Sequence, residues 1–574
     1  MHTFVAIALA ALAATLPTLP QWQTTPSATF INQALAFALW PAFLLAVDLR
    51  AGLARPAVLL SALAAVLAAA AWSWLGGALP ASLGLSAMAT LAAAMVVGAG
   101  GAGMRSRPDA ENLFAAFCWG WVACGVVNIV IALIQVFAPG WTDTLGIATP
   151  SHAGRAVGNL RQPNHLSSLL LWHAIAVIAL LEMGRLRRGL AALLLALGVF
   201  CVVLTASRTG ALSVVLLAVW ALLDRRRFSR DGLRLVLAAP AMYGASWLAM
   251  NRWAQLSKQA FGGAERLAET DISSSRFAIW HNTLDLIAAH PWRGVGFGEF
   301  NFAWTLTPFP TRPTAFFDHS HNLVLQLLVE LGLPLGGLVL LLLLWALGQA
   351  AWRAWRTPGA LGTAQRCGVM MVVMIGVHSQ LEYPLWYSYF LLPAAWVWGF
   401  ALQGGPEAEA GVAAEPPRAA SLAMVVAALL VVAGAAHAVV DYRRVVVIFS
   451  PAADSPSLDD RIVAGQRSVY FAHHADYAAL TSNLPQPDEQ RAFARATHYL
   501  LDTRLMMTWA QDLNRRGLRD PARHLAARLR EFGKDDADEL FAPCPAVALK
   551  ARPGRPFQCE LPQRVPDWRE FAAN

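Results

Sequence analysis

Runs of roughly 18 or more consecutive apolar residues recur from the N-terminus to about residue 440, each long enough to cross a hydrocarbon core as a helix. Soluble domains carry their apolar residues in short periodic patches, so this pattern excludes a cytosolic enzyme. Composition agrees: the chain is 57% hydrophobic and 14% charged, against roughly 25% charge in ordinary soluble proteins. The expected fold is all-α, a polytopic membrane helix bundle of about 12–13 spans with a large periplasmic loop and a C-terminal soluble helical domain.

The spans fall near 3–19, 30–48, 57–75, 83–103, 112–137, 165–183, 190–206, 210–223, 234–250, 321–349, 367–381, 385–402 and 421–440. The first is short enough for a secretory signal, but it lacks a basic n-region and a clear small-residue cleavage site and reads as a retained helix. Arginine then sets the orientation. Connections with Arg50/Arg55, Arg105/Arg107, Arg185/Arg187/Arg188, Arg225/Arg226/Arg227/Arg230 and Arg353/Arg356/Arg366 alternate with connections that carry few. The positive-inside rule makes theirs the cytoplasmic face. Residues 138–164, 251–320 and the tail after 440 are then outside, with the N-terminus in and the C-terminus out.

Four parts are expected: N-terminal spans in 1–150; a catalytic transmembrane region in 151–402 that includes the outer loop 251–320; a Pro/Ala/Gly/Glu linker and the last span in 403–440; and a charged helical domain in 441–574. In the last, Asp488 to Phe532 reads as two amphipathic helices around Gly517 and Pro521. The net charge of +8 lies in scattered arginine clusters with no basic stripe, which argues against nucleic acid. Cys118, Cys124, Cys201 and Cys367 lie in apolar stretches, so neither a disulfide framework nor a paired metal site is indicated. Cys544 and Cys559, in a Pro-rich loop of an oxidising compartment, are candidates for a disulfide, with two free thiols the alternative.

Polar residues at membrane depth are expensive, so their clusters mark the chemistry. The strongest is Asp318-His319-Ser320-His321-Asn322, which opens a span in which Asn322, Gln326 and Glu330 share one helix face. Both histidines would lie in the first helical turn, whose dipole disfavours added positive charge, as suits a general base. The same run reads equally as a polar cap with Asp318 or Ser320 as N-cap. A His-x-His metal site lacks further ligands at a recognisable spacing. Thr205 to Gly210, with Arg208, and Ser273 to Trp280, with Arg276, each offer a guanidinium whose fork matches phosphate; taken singly, such an arginine is also an ordinary interfacial one. Gly158 to His165, with Gln162 and Asn164, and His378 to Tyr387, with Glu382 and Tyr383, are dense in donors and acceptors, and by themselves read as cap and aromatic-belt residues.

Together these motifs resemble the superfamily of O-antigen ligases, O-antigen polymerases and protein O-oligosaccharyltransferases, and most closely the PglL-type protein glycosylation ligases. The carriers lie between about residues 150 and 400: GNLRQPNHL at 158–166, SRTG at 207–210, SRFAIWHNTLDLIAAHPWRGVGFGEF at 275–300, HSHNLVLQLLVELGLPLG at 319–336 and HSQLEYPLWY at 378–387. The resemblance implies transfer of a glycan from an undecaprenyl-pyrophosphate-linked oligosaccharide to a hydroxyl of pilin or another periplasmic acceptor protein, at the periplasmic face of the bacterial inner membrane and with membrane lipid around it. It implies no cofactor and no metal. It makes His321 the base with His319 its rival, makes Arg208 and Arg276 the pyrophosphate ligands, and gives Gln162, Asn164, His165, Tyr383, Tyr387 and Glu330 substrate-binding roles. Ligation to lipid A core and O-antigen polymerisation differ only in the acceptor. A lipid-linked glycan transporter predicts paired inverted halves, and no such symmetry is visible in the sequence.

Overall fold

Each expected apolar run is a helix in the computed structural model, which describes residues 2–47, 56–264, 275–404, 418–482, 488–544 and 556–572. Arg50 and Arg55, residues 405–417 of the expected linker, and residues 265–274 of the outer loop, with Ser273, lie outside that set. The helices in chain order are α1 (His2–Thr15), α2 (Phe30–Ala46), α3 (Ala57–Leu75), α4 (Ala81–Arg105), α5 (Ala110–Phe137), α6 (Pro163–Glu182), α7 (Arg188–Leu204), α8 (Arg208–Leu223) and α9 (Arg230–Ser257). Next come α10 (Arg276–Ala289), α11 (Phe300–Leu306), α12 (Leu323–Arg356), α13 (Gly359–His378), α14 (Ser388–Leu402) and α15 (Arg418–Phe449). Eight of these are long and apolar enough to cross a membrane, and five apolar ones are shorter. The protein is a multi-pass membrane protein. Among the described residues no strand forms; one isolated bridge joins Thr24 and Ser27.

The chain divides into two compact units, each discontinuous in sequence. The first comprises Met1–Leu63, Thr90–Ile272 and Leu341–His437. Its core is aromatic, with Phe117 on Trp396 at 4.4 Å, Phe114 on Phe400 at 5.1 Å and Trp121 against Trp172 at 4.7 Å between ring centroids. Helices α4 and α14 approach through glycines. A Cβ on Gly399 would stand 1.9 Å from the Gly98 carbonyl oxygen, and one on Gly101 2.1 Å from that of Trp396, the small-residue contact that membrane helices use when burial gives no drive to associate. Ion pairs tie several of the described arginine-bearing connections to their neighbours: Arg185 reaches Glu111 at 3.5 Å, Arg188 reaches Asp231 at 3.1 Å and Arg366 reaches Asp224 at 3.1 Å.

The second unit comprises Ala64–Ala89, Ser273–Leu340 and Ala438–Asn574. Its core joins residues 279–329 to the C-terminal helices: Phe302 faces Trp509 at 6.2 Å and Trp304 meets Phe532 at 5.7 Å. Arg312 is buried over the faces of Trp304 and Phe532 and pairs with Glu531 at 3.1 Å. The C-terminal region contributes α16 (Leu458–Gly465), α17 (Ala472–Thr481), α18 (Glu489–Ala496), α19 (Thr503–Arg515) and α20 (Arg519–Phe532). Between Asp488 and Phe532 there are thus three helices where the sequence pattern predicts two. Pro521 lies in the first turn of α20, where a missing N–H leaves no helical bond unmade. Cys544 and Cys559 form a disulfide.

Candidate active site

In the first unit, the backbone of the GNLRQPNH run is pinned before its side chains are placed. Gln135 binds it from α5, accepting from Val157 N and Gly158 N at 2.9 Å each. Asn159 donates to Leu19 O at 2.6 Å. Gln162 then caps α6, its side chain accepting from Asn164 N at 2.9 Å, with Pro163 as the first helical residue. Across the turn between α7 and α8, Ala156 N donates to Leu204 O and Arg155 Nε to Thr205 O, both at 2.9 Å. These bonds bring two motifs together that the sequence separates. Ser207, the cap of α8, donates to Asn164 Oδ1 at 2.7 Å, and Asn164 Nδ2 donates to Glu382 at 3.0 Å.

His165 packs in the same cluster, edge-on to Tyr387 at 4.7 Å, with its Nδ1 3.1 Å from the Tyr389 hydroxyl. Ser168 Oγ lies 2.7 Å from His378 Nδ1. Tyr383 stacks on Tyr387 at 5.8 Å. Arg208 is the first residue of α8 and only partly buried. Asn164, His165, Ser207, His378 and Glu382 are all buried. Ser167, Ser168 and Tyr389 were not singled out from sequence; the signal for the two serines is a polar residue one turn along the same helix from Asn164.

In the second unit, the structure corrects the position of the histidines. Helix α12 begins at Leu323, so His319 and His321 precede it and do not lie in its first turn. Asn322, rather than Asp318 or Ser320, supplies the cap: its Oδ1 accepts from Leu325 N at 3.0 Å. His321 takes φ +54°, a left-handed conformation that L-residues occupy at some strain and that clusters at functional sites. His319 Nδ1 lies 2.5 Å from Asp318 Oδ1, and the two imidazoles stack at 5.2 Å. His319 is buried; His321 is partly exposed and edge-on to Phe317 at 5.3 Å.

The support beneath them is hydrogen-bonded link by link. Ser320 N donates to Gln326 Oε1 at 2.7 Å, and Gln326 Nε2 donates to Glu330 at 2.9 Å. Glu330 also accepts from the backbone of Gly298 and Phe300. The glycines of the RGVGFG run make this possible, because Gly294, Gly296 and Gly298 all have positive φ. Their loop wraps the end of the first part of α12, with Val295 N on Val329 O at 2.8 Å and Gly296 N on Glu330 O at 3.0 Å. At that point α12 breaks, at Gly332 with φ +74° just before Pro334. Arg276 opens α10; four residues on, Trp280 donates to Ser320 O at 3.0 Å. The second unit thus gathers Arg276, His319, His321 and Glu330, and the first gathers Gln162, Asn164, His165, Arg208, Tyr383 and Tyr387.

Outside the spans, burial shapes the charge states of this unit. It lowers His474 to about 3 and His473 well below the usual imidazole range, the neighbouring His474 adding to the effect on His473. It raises Asp476 to about 6 against the pull of Arg495. Among the described residues, no three His, Cys, Asp or Glu side chains gather as a metal site would.

Residues 191–342 match the O-antigen ligase family, 156–181 the protein glycosylation ligase family, and 367–538 the C-terminal part of a virulence factor membrane-bound polymerase family. Over these segments the chain is similar to the O-antigen ligases and protein glycosylation ligases. Two curated proteins of Acinetobacter baylyi are similar to it. A general O-oligosaccharyltransferase is 27% identical over 313 residues, 53% of each chain, and a ComP-specific O-oligosaccharyltransferase is 26% identical over 310 residues, 52% of this chain and 53% of the relative. The chain spans about half the length of the curated relatives it matches. The O-antigen ligase match contains Arg208, Arg276, His319, His321 and Glu330, and the glycosylation ligase match contains Gln162, Asn164 and His165.

Proposed function

We propose that this protein is a glycosyltransferase, an O-oligosaccharyltransferase that moves a glycan from undecaprenyl-pyrophosphate to a Ser or Thr hydroxyl of pilin or another periplasmic protein, at the outer face of the bacterial inner membrane. The observation that carries the reading is the Asp318–His319–His321 arrangement: a carboxylate-held, buried imidazole stacked on a second, accessible one in a strained backbone. The oligosaccharyltransferases of Acinetobacter support the reaction class.

The chemistry follows from the groups. A hydroxyl is a poor nucleophile, so His321 takes its proton as the oxygen attacks the anomeric carbon. The carbon–oxygen bond to the carrier breaks on the opposite face, the electron pair leaves with the pyrophosphate, and the configuration inverts. Pyrophosphate needs charge stabilisation more than protonation. Arg208 and Arg276, whose charge is permanent, fill that role, each at a helix N-terminus where backbone N–H groups favour anions. His321 is preferred over His319 as the base because it is the accessible ring. Gln162, Asn164, His165, Tyr383 and Tyr387 are assigned to donor or acceptor binding, and Glu330 to holding the histidine loop. The expected four-part division of the chain and an N-in, C-out topology belong to the same proposal.

Reconstitution with an undecaprenyl-pyrophosphate-linked oligosaccharide, offering purified pilin and lipid A core separately, tests the reading. Glycosylated pilin is expected. Modification of core alone would replace the protein acceptor by a lipid one, and a product that retains the donor's anomeric configuration would sink direct displacement.

A further inference from the structure

The link between α18 and α19, His498 to Leu501, touches two separate supports of loop 317–322, Glu299 and Asn301. His498 Nδ1 lies 2.5 Å from Glu299 Oε2, both side chains buried, and its ring stacks on Phe302 at 4.3 Å. Glu299 ends the glycine loop that binds Glu330, and through Gln326 Glu330 fixes the backbone between the two histidines. Three residues on from His498, Leu501 N donates to Asn301 Oδ1 at 3.3 Å, and Asn301 Nδ2 donates to Phe317 O at 2.9 Å. Between these contacts, the Tyr499 ring packs on His473 at 4.4 Å and His474 at 4.5 Å. Burial first, and then the nearby Asp318 carboxylate, raises the Tyr499 phenol. Asp318 is the group that holds His319.

Docking the C-terminal helices on residues 279–329 needs only apolar contact, which the shared core already supplies. Buried polar pairs add a desolvation penalty and contribute orientation in return. We propose that His498, Tyr499 and the Leu501 backbone form a strap that holds the His319–His321 loop in its strained geometry, so that the C-terminal region is part of the catalytic centre. They are positioning residues: His498 acts through Glu299 and Leu501 through Asn301, while the Tyr499 ring packs the link onto His473 and His474. The kinetic part of this inference rests on the transferase reading; the structural part does not.

The test uses the full chain in lipid nanodiscs, with hydrogen exchange of the peptide covering 317–322 and steady-state transfer from undecaprenyl-pyrophosphate-linked oligosaccharide to pilin. His498→Ala should raise exchange in 317–322 and lower kcat about tenfold or more, with donor KM within about twofold, since misplacing a base by an ångström is enough. His498→Asn, whose amide can donate to Glu299, should recover both. Tyr499→Leu, which removes the ring packing on His473 and His474 but keeps an apolar side chain, should raise exchange less. Wild-type exchange at 317–322 in a folded His498→Ala protein overturns the strap, as does slowed transfer with unchanged exchange there, or equal behaviour of the Ala and Asn variants. Should His498→Ala fail to fold, wild-type exchange and rate in Tyr499→Leu overturn it. A wild-type protein without transfer activity removes the transferase reading and leaves the exchange measurement to decide the strap.

Discussion

The two polar clusters are built on opposite principles. In the first unit, Asn164, Ser207, Glu382, His378 and Ser168 are buried and bonded mainly to one another, joining helices α6, α8 and α13. In the second, the chemistry-bearing residues sit ahead of a helix, in a loop with a left-handed histidine, one ring accessible and everything beneath it tied down. A membrane interior tolerates the first kind only as a closed network, because an unpaired polar group there is expensive. The second kind stores strain where a reaction needs a fixed, accessible base. One cluster is thus a closed network tying helices together, and the other holds a partly exposed ring in a strained loop.

Four substitutions test that contrast, from the largest effect down. His321→Ala should lower transfer about 10²–10⁴-fold with thermal stability unchanged; a loss of stability equal to that of the first-unit variants would erase the distinction, and full activity would move the base to His319. Arg276→Ala should weaken binding of the lipid-linked donor by about 1.5–3 kcal/mol, the range for hydrogen bonds to a charged group, with Arg276→Lys recovering part of it, as read by donor titration. Glu382→Ala should destabilise the first unit by about 1–3 kcal/mol, because it strips a partner from buried Asn164; in nanodisc melting, Glu382→Gln should lose less.

The smallest effect is a pH dependence in the second unit. His474 stays neutral in the folded protein down to about 3, whereas an unfolded imidazole takes up a proton near 6.5. Stability is therefore lost as pH falls through the unfolded value, and between pH 7 and 6 the loss from this group is about 0.7 kcal/mol. Asp476, raised to about 6 against an unfolded 3.8, acts in the other direction. Comparing wild type with His474→Asn at both pH values cancels the Asp476 contribution. Equal pH slopes in the two proteins would show that His474 does not titrate on unfolding.

Legibility in the sequence followed the range of the interaction. Every apolar run became a helix, because length and hydropathy decide membrane helices with little help from neighbours. The break in α12 at Gly332 falls inside a span expected to run unbroken over 321–349. The HSHN run was recognised, yet its histidines were placed one step too far into the helix, because Asn322 and not Asp318 or Ser320 proved to be the cap. The C-terminal pattern hid a third helix, since α18 is only eight residues long and buries just Ala492, Phe493 and Ala496.

Sequence by itself determined that this chain is a multi-pass helical membrane protein and which residue types could perform transfer chemistry. Tertiary structure decided which of them meet. Asn164 and Glu382 are 218 residues apart and His498 and Glu299 are 199 apart, and no local propensity encodes such pairs. A buried polar side chain is satisfied only by a partner the whole chain path delivers, so the residues that hold the histidine loop became visible only in the folded protein.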